Sequence, residues 1–246
     1  MNVAIVDQAL ARVKRMKRSI LTGARLLHAD ATSGGTRTRA WMVTLTYKPE
    51  CEWDVRDITK VCKNFRDYCE VTGTPCRYVW KLELQKRGVV HYHIMLWLPY
   101  RKLCPKFDAK GWWPYGMTNR KAVYAGTKYM AKYCSKGVGE GRIPKGARIH
   151  GNGGVSRYGR NQLRWWNAPS YVRQNFECGA PIKRVLGGFV DTATGIFKES
   201  EYVFVRSHGG MAYLVHRSMV GKISFNWKPQ AASGSTSLTA VLSKGI

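Results

Sequence analysis

A chain of 246 residues fits one domain with appendages or two small domains, and 44% hydrophobic residues supply enough apolar side chains for a packed core and argue against wholesale disorder. Its 41 Lys and Arg against 15 Asp and Glu give a net charge of +26. That excess opposes compaction unless a polyanion offsets it, which makes nucleic acid the first partner to consider, ahead of a merely very soluble protein.

Seven cysteines, an odd count with no C-x-x-C pair, support neither a disulfide framework nor a zinc ribbon. Scattered thiols of this kind suit a reducing, cytosolic setting. No apolar run is long enough to span a membrane. The start, MNVAIVDQALARVKRMKRS, places its apolar part before its basic part, the reverse of a secretory signal.

Residues 2–28 read as a basic amphipathic helix with Ile5, Leu10, Val13 and Ile20 among its apolar positions. The run Lys14, Arg15, Lys17, Arg18 suits phosphate contacts or a solvated face. Residues 30–39, DATSGGTRTR, read as a linker. AWMVTLTYKP is then a strand stopped by Pro49. Asp54 or Asp57 caps the helix that follows, Ile58, Cys62, Phe65 and Cys69 fall at helical spacing, and Thr72-Gly73 ends it. RYVWKLELQ and VVHYHIMLWLP are two further strands around a turn at Lys86-Arg87-Gly88. Residues 119–136 are predicted as a helix stopped by Gly137. The order strand, helix, strand, strand, helix predicts an α+β fold, a central antiparallel sheet backed by helices.

From residue 139 the texture becomes Gly- and Arg-rich, followed by LRWWNAPSYVR, strand-like pieces such as EYVFVRS and MAYLVHRSM, and a tail, AASGSTSLTAVLSKGI, read as flexible. The expected division is a basic N-terminal helix and linker over 1–39, a core over 40–138 and an accessory nucleic-acid-binding region over 139–246. No internal repeat and no G-x-x-x-x-G-K-[ST] phosphate loop occur, so no ATP-driven motor is encoded in this chain.

The predicted hairpin carries the first chemical signal. His91 and His93 are two residues apart on a strand and therefore share a face. A three-residue loop pairs Gln85 with Val89 and places Glu83 directly across from His91 on that face. Trp80, Leu82, Leu84, Val90, Tyr92, Ile94 and Leu96 collect on the other face as core. Two imidazoles and a carboxylate on the polar face of an apolar hairpin are a candidate metal site with coordination positions left open. Solvated strand histidines are the plainer alternative.

The second signal is YAGTKYMAKYCSKG. Tyr129 and Tyr133, four residues apart, are neighbours on one helix face; Lys132 and Lys136 flank it, and Ala125 lies on it. Val123, Met130 and Cys134 form the stripe expected to pack on the sheet. A neighbouring ammonium and a metal-bound phosphate favour the phenolate of a tyrosine nucleophile. An ordinary helix with packed aromatics and wet lysines is the alternative.

MVTLTY at 42–47, HYHIMLW at 91–97 and YMAKYCSK at 129–136 resemble, in order and spacing, the three motifs of HUH endonucleases, the rolling-circle replication initiators of phages and plasmids. The chain is most similar in this respect to the initiators of filamentous and small isometric single-stranded DNA bacteriophages, whose third motif also carries two tyrosines and a lysine. RIHGNGGVSRYGR and RWWNAP look similar to filamentous-phage initiators as well, less specifically. The resemblance implies an RNA-recognition-like sandwich, His91 and His93 as ligands of Mg²⁺ or Mn²⁺, and Tyr129 and Tyr133 as nucleophiles with Lys136 and Lys132 stabilising charge. Glu83 would be the acidic third ligand, although it lies outside the short motifs. Tyr92 departs from the aliphatic residue common between the two histidines. The implied activity is a covalent nick, leaving a 5′-phosphotyrosine and a free 3′-hydroxyl. The implied setting is the host bacterial cytoplasm, with single-stranded or hairpin origin DNA, a host helicase, a host DNA polymerase and a single-strand-binding protein as partners.

Arg157, Arg160, Arg164, Trp165 and Trp166 are candidates to grip an origin hairpin through phosphates and stacking, with core packing of the two tryptophans as the alternative. A transposase of the same chemistry and a non-catalytic nucleic-acid-binding protein on a similar sheet are the rival functions. The second would have no reason to place Glu83, His91 and His93 on one face.

Overall fold

The computed structural model describes residues 3–85, 88–124, 143–220, 223–224 and 241–242. The architecture is α+β, as the order of elements predicts. Its centre is a five-stranded sheet built from β2 (Thr38–Tyr47), β3 (Tyr78–Leu84), β4 (Val90–Pro99), β5 (Gly116–Val123) and β6 (His150–Gly153). The strand order is β5-β2-β4-β3-β6, and every neighbouring pair is antiparallel.

One face of the sheet is covered by α2 (Asp57–Val71), whose apolar stripe Ile58, Val61, Phe65 and Cys69 is buried. Asp57 stands in its first turn and accepts hydrogen bonds from the Tyr47 hydroxyl (2.9 Å) and the Asp54 amide (3.3 Å). Gly73, with φ +59°, turns the chain away after Thr72. Trp80, Leu82, Tyr92, Ile94 and Leu96 are buried on this side, as period-two alternation requires. The tyrosine between the histidines is accommodated here: the Tyr92 ring packs edge-on against Trp80 and Trp113, and its hydroxyl accepts a 2.7 Å bond from Trp53 Nε1.

The other face is covered at one end by α1 (Gln8–Ser33), which buries Met16, Ile20, Ala24 and Leu27. Its Gly23 lies over Val79, and His28 Nδ1 accepts from Trp97 Nε1 at 3.3 Å. At the opposite end of the strands this face carries the polar side chains of the candidate site.

Several expectations require correction. Residues 3–7 are not helical: Val3–Asp7 forms β1, and α1 starts at Gln8, with the Asp7 carboxylate capping the Leu10 amide at 2.9 Å. The expected linker over 30–39 is mostly structured, because α1 runs to Ser33 and β2 begins at Thr38. The predicted helix over 119–136 is wrong over 119–123, which belong to β5, so Val123 packs from a strand. Residues 125–136 lie outside the described residues.

β1 pairs antiparallel with β11 (Met211–His216), which also pairs with β10 (Tyr202–His208), giving a sheet ordered β1-β11-β10. A second small sheet contains β7 (Ile182–Val185), β8 (Gly188–Asp191) and β9 (Phe197–Glu199). α3 (Arg157–Asn167) and α4 (Ser170–Asn175) precede it and enclose a separate small core of Ala168, Val172, Phe176 and Ile182. Ile223–Ser224 and Val241–Leu242 form a short antiparallel ladder, β12 with β13, so part of the segment read as a flexible tail is paired. No helix among the described residues is long and apolar enough to cross a membrane.

β6 is an edge strand of sequence HGNG, which has little intrinsic strand propensity. It pairs because its glycines let the backbone approach bulky neighbours. A Cβ on Gly151 would lie 2.5 Å from Trp80 Nε1, and one on Gly153 would overlap the Tyr78 ring. Gly151→Ala is therefore expected to destabilise the protein by about 1–3 kcal/mol through overpacking, read as a lower midpoint in urea unfolding. An unchanged midpoint would show that β6 moves away from Trp80 at no cost.

Candidate metal and phosphate site

Cross-strand neighbours in register point to the same face of a sheet, so the pairings define the site row by row. One row runs Asn119 (β5), Thr44 (β2), His93 (β4), Lys81 (β3), His150 (β6). The adjacent row runs Met117, Thr46, His91, Glu83. The hairpin register is the one the turn implies: Gln85 N donates to Val89 O at 2.9 Å, and Glu83 faces His91.

The side chains within these rows touch. His93 Nδ1 is 3.2 Å from Thr44 Oγ1, and His91 Nδ1 is 3.4 Å from Thr46 Oγ1. On its other side His93 Nε2 lies 3.3 Å from Glu83 Oε2. The same carboxylate oxygen accepts a 3.2 Å bond from the Lys81 ammonium, which is fully buried. The His91 and His93 ring centroids are 6.4 Å apart. The contact with His93, reinforced by the Lys81 charge, pulls the Glu83 carboxyl down to about 2 against the opposing effect of burial. Glu83 is thus an anion at any pH at which the protein operates.

This donor set suits a hard divalent cation. It offers an ionised carboxylate and two imidazoles whose Nδ1 atoms rest on hydroxyls, leaving Nε2 as the ligating nitrogen. Threonine fits the supporting role because its hydroxyl donates or accepts, and so serves either tautomer of the ring. Among the described residues, no group of three or more His, Cys, Asp and Glu side chains already converges on one point. In the present arrangement the Glu83 carboxylate is directed at His93 and Lys81. Tyr129, Lys132, Tyr133 and Lys136 lie outside the described residues.

Thr44, Thr46, Lys81 and His150 were not singled out from the sequence. The signal was present: in MVTLTY and KLE, the polar residues share the strand parity that carries Glu83 and the histidines.

The sequence-predicted DNA contacts separate in space. Arg157, Arg160 and Arg164 are exposed along α3. Arg160 Nη1 donates to Val155 O (2.8 Å) and Arg164 Nη1 to Asn161 Oδ1 (3.2 Å). Trp165 packs on the small core, with Nε1 donating to Phe176 O at 2.6 Å, whereas Trp166 is exposed and receives Arg18 on its carbonyl.

His150 closes the first row at the sheet edge. Burial, and then repulsion from Arg148, Arg15 and Arg12, lowers its pKa from 6.5 to about 4. The neutral ring is thus favoured in the fold, while the unfolded chain takes up a proton below pH 6.5. This contribution is complete above about pH 6.5 and is lost as pH falls toward 4. The thermal midpoint should fall across that window, and His150→Gln should flatten the fall. An identical slope in the variant would assign the acid sensitivity to other groups.

Comparison with known proteins adds one match. No curated protein and no solved structure shows significant similarity to the chain. Residues 40–138, which contain β2 to β5 and both polar rows as far as Lys81, match a family of replication-associated proteins of the ORF2 type, and this match supports a role in DNA replication as an initiator protein.

Proposed function

We propose that the chain is a rolling-circle replication initiator of the HUH type, which nicks single-stranded origin DNA with a tyrosine and later rejoins it. The observation that carries this reading is the polar double row on the buried sheet, within the segment that matches a replication-associated family. A binding protein that used the sheet only as a platform would gain nothing from a buried lysine, an ionised glutamate and two hydroxyl-braced histidines side by side. That consideration ranks the non-catalytic rival lower, and the pair of tyrosines ranks a transposase lower.

In this reading His91, His93 and Glu83 hold Mg²⁺ or Mn²⁺, which when bound polarises the scissile phosphate. Thr44 and Thr46 orient the two imidazoles. Lys81 keeps Glu83 ionised and adds positive charge beneath the phosphate. Tyr129 or Tyr133 attacks phosphorus as the phenolate. The P–O3′ bond breaks, the 3′ oxygen takes a proton, and the 5′ phosphate remains esterified to the tyrosine. Lys136 and Lys132 offset the charge that develops. The free 3′-hydroxyl is a primer for a host polymerase, and a host helicase and single-strand-binding protein supply the unwinding that this chain does not encode. These partners place the reaction in the host cytoplasm.

Trapping the covalent adduct on a labelled single strand and identifying the modified residue by mass spectrometry tests the reading. Tyr129→Phe and Tyr133→Phe singly should still nick but circularise poorly, and the double variant should not nick. Nicking by the double variant would remove the tyrosine mechanism. His91→Ala should abolish cleavage while sparing DNA affinity, which comes mainly from basic contacts; equal loss of both would make the histidines structural. Thr44→Val and Thr46→Val should each weaken Mn²⁺ binding about 10–100-fold, measured by calorimetry. Unchanged affinity would show that the hydroxyls do not orient the rings.

A further inference from the structure

The largest concavity among the described residues lies away from the polar rows. It is a groove of about 1390 Å³ between α1, α3, the β7–β8 hairpin and the β10 strand. Its basic lining comes from Lys14, Arg15 and Arg18 of α1, Arg164 of α3, and Lys183 and Arg184 of β7. Among the described residues, no acidic side chain lines it. Arg217 also reaches the groove, but it is tied to Glu199 at 3.0 Å and to the Ser200 carbonyl, so it serves the wall. Among the described residues none of the other six forms an ion pair, and Lys14, Arg15, Lys183 and Arg184 are exposed.

Such a cluster of like charges is costly to assemble without a counter-charge. The groove also contains rings: Tyr171, Phe189, Tyr202 and Phe204, of which Phe204 is 57% exposed. At the tip of the β7–β8 hairpin, Leu186 is fully exposed. Cations alone would suit any polyanion. Cations interleaved with accessible rings suit one whose bases are unpaired, because a duplex offers phosphates and base edges but no base faces.

We propose that this groove is a second nucleic-acid site, which takes a single strand of DNA or RNA with its phosphates on α1 and β7 and its bases against the rings of β8 and β10. The inference rests on the nucleic-acid reading above but not on its chemistry. It gives the accessory region a task the sequence alone does not state: holding the strand beside the sheet while the core acts on it.

The test is fluorescence anisotropy of the full chain with a labelled oligothymidylate, which carries neither an origin sequence nor a hairpin. A triple variant, Lys14→Glu/Lys183→Glu/Arg184→Glu, should bind at least about ten-fold more weakly. Its log–log salt slope should be shallower by about 2, the value for three lost phosphate contacts on a single strand. Phe204→Ala should weaken binding by about ten-fold with the salt slope unchanged, as expected for lost stacking. An unaltered circular dichroism melting curve controls for folding. Equal affinity of the triple variant and the unmodified chain overturns the groove. Loss of duplex binding with single-strand binding intact overturns its assigned occupant. If the unmodified chain binds no nucleic acid, both this proposal and the replication reading fall. If it binds, and the variants lose binding, but no nick is ever made, the groove stands and only the catalytic reading falls.

Discussion

Strand periodicity is the constraint on which the rest of this molecule depends. In the β3–β4 hairpin, every second residue must pack against α2 and the 101–115 segment, and that face is filled by Trp80, Leu82, Tyr92, Ile94 and Leu96. Burial of this face fixes the register, because a slip by one residue would exchange the apolar set for the polar one. The positions of Glu83, His91, His93 and Lys81 follow from that. β2 adds Thr44 and Thr46 behind the histidines by the same rule. The site is thus held by side chains that never touch it, and its precision comes from the core on the opposite face.

The electrostatics of the site are arranged so that one buried charge justifies another. A fully buried ammonium such as Lys81 is costly unless a partner compensates for its lost hydration, and a carboxylate beside it is the least expensive partner. Glu83 is held ionised by the same contacts that orient it. A bound cation and a phosphate would enter a region where the fixed charges already alternate, positive on β3, negative beside it, with imidazoles able to serve either sign.

Sequence reading reached the hairpin because two local signals, alternation and a short turn, are sufficient to set Glu83 opposite His91. It failed at β5, where GMTNRKAV buries little and the strong helical periodicity downstream extends backward over it. It failed at β1 because VAIVD is a strand only by virtue of β11, a partner near the far end of the sequence. β6 was invisible because HGNG has no strand propensity, and only the Trp80 and Tyr78 rings make its glycines useful. The supporting threonines were readable by parity but not by motif. The basic groove was beyond reach of any local pattern, since its walls come from α1, α3, β7 and β10.

The pairing of β1 with β11 also shapes how the chain comes into being. During synthesis Val3–Asp7 emerges first, and its hydrogen-bonding partner, Met211–His216, emerges among the last residues. The five-stranded sheet can assemble in the interval, since its own strands are closer together in sequence. The first strand therefore waits, with its edge groups on water, until translation is nearly complete. Joining the two ends is a late latch that fastens α1 to the accessory sheets, so a ribosome-bound or truncated chain would carry a formed catalytic sheet with an unfastened basic helix.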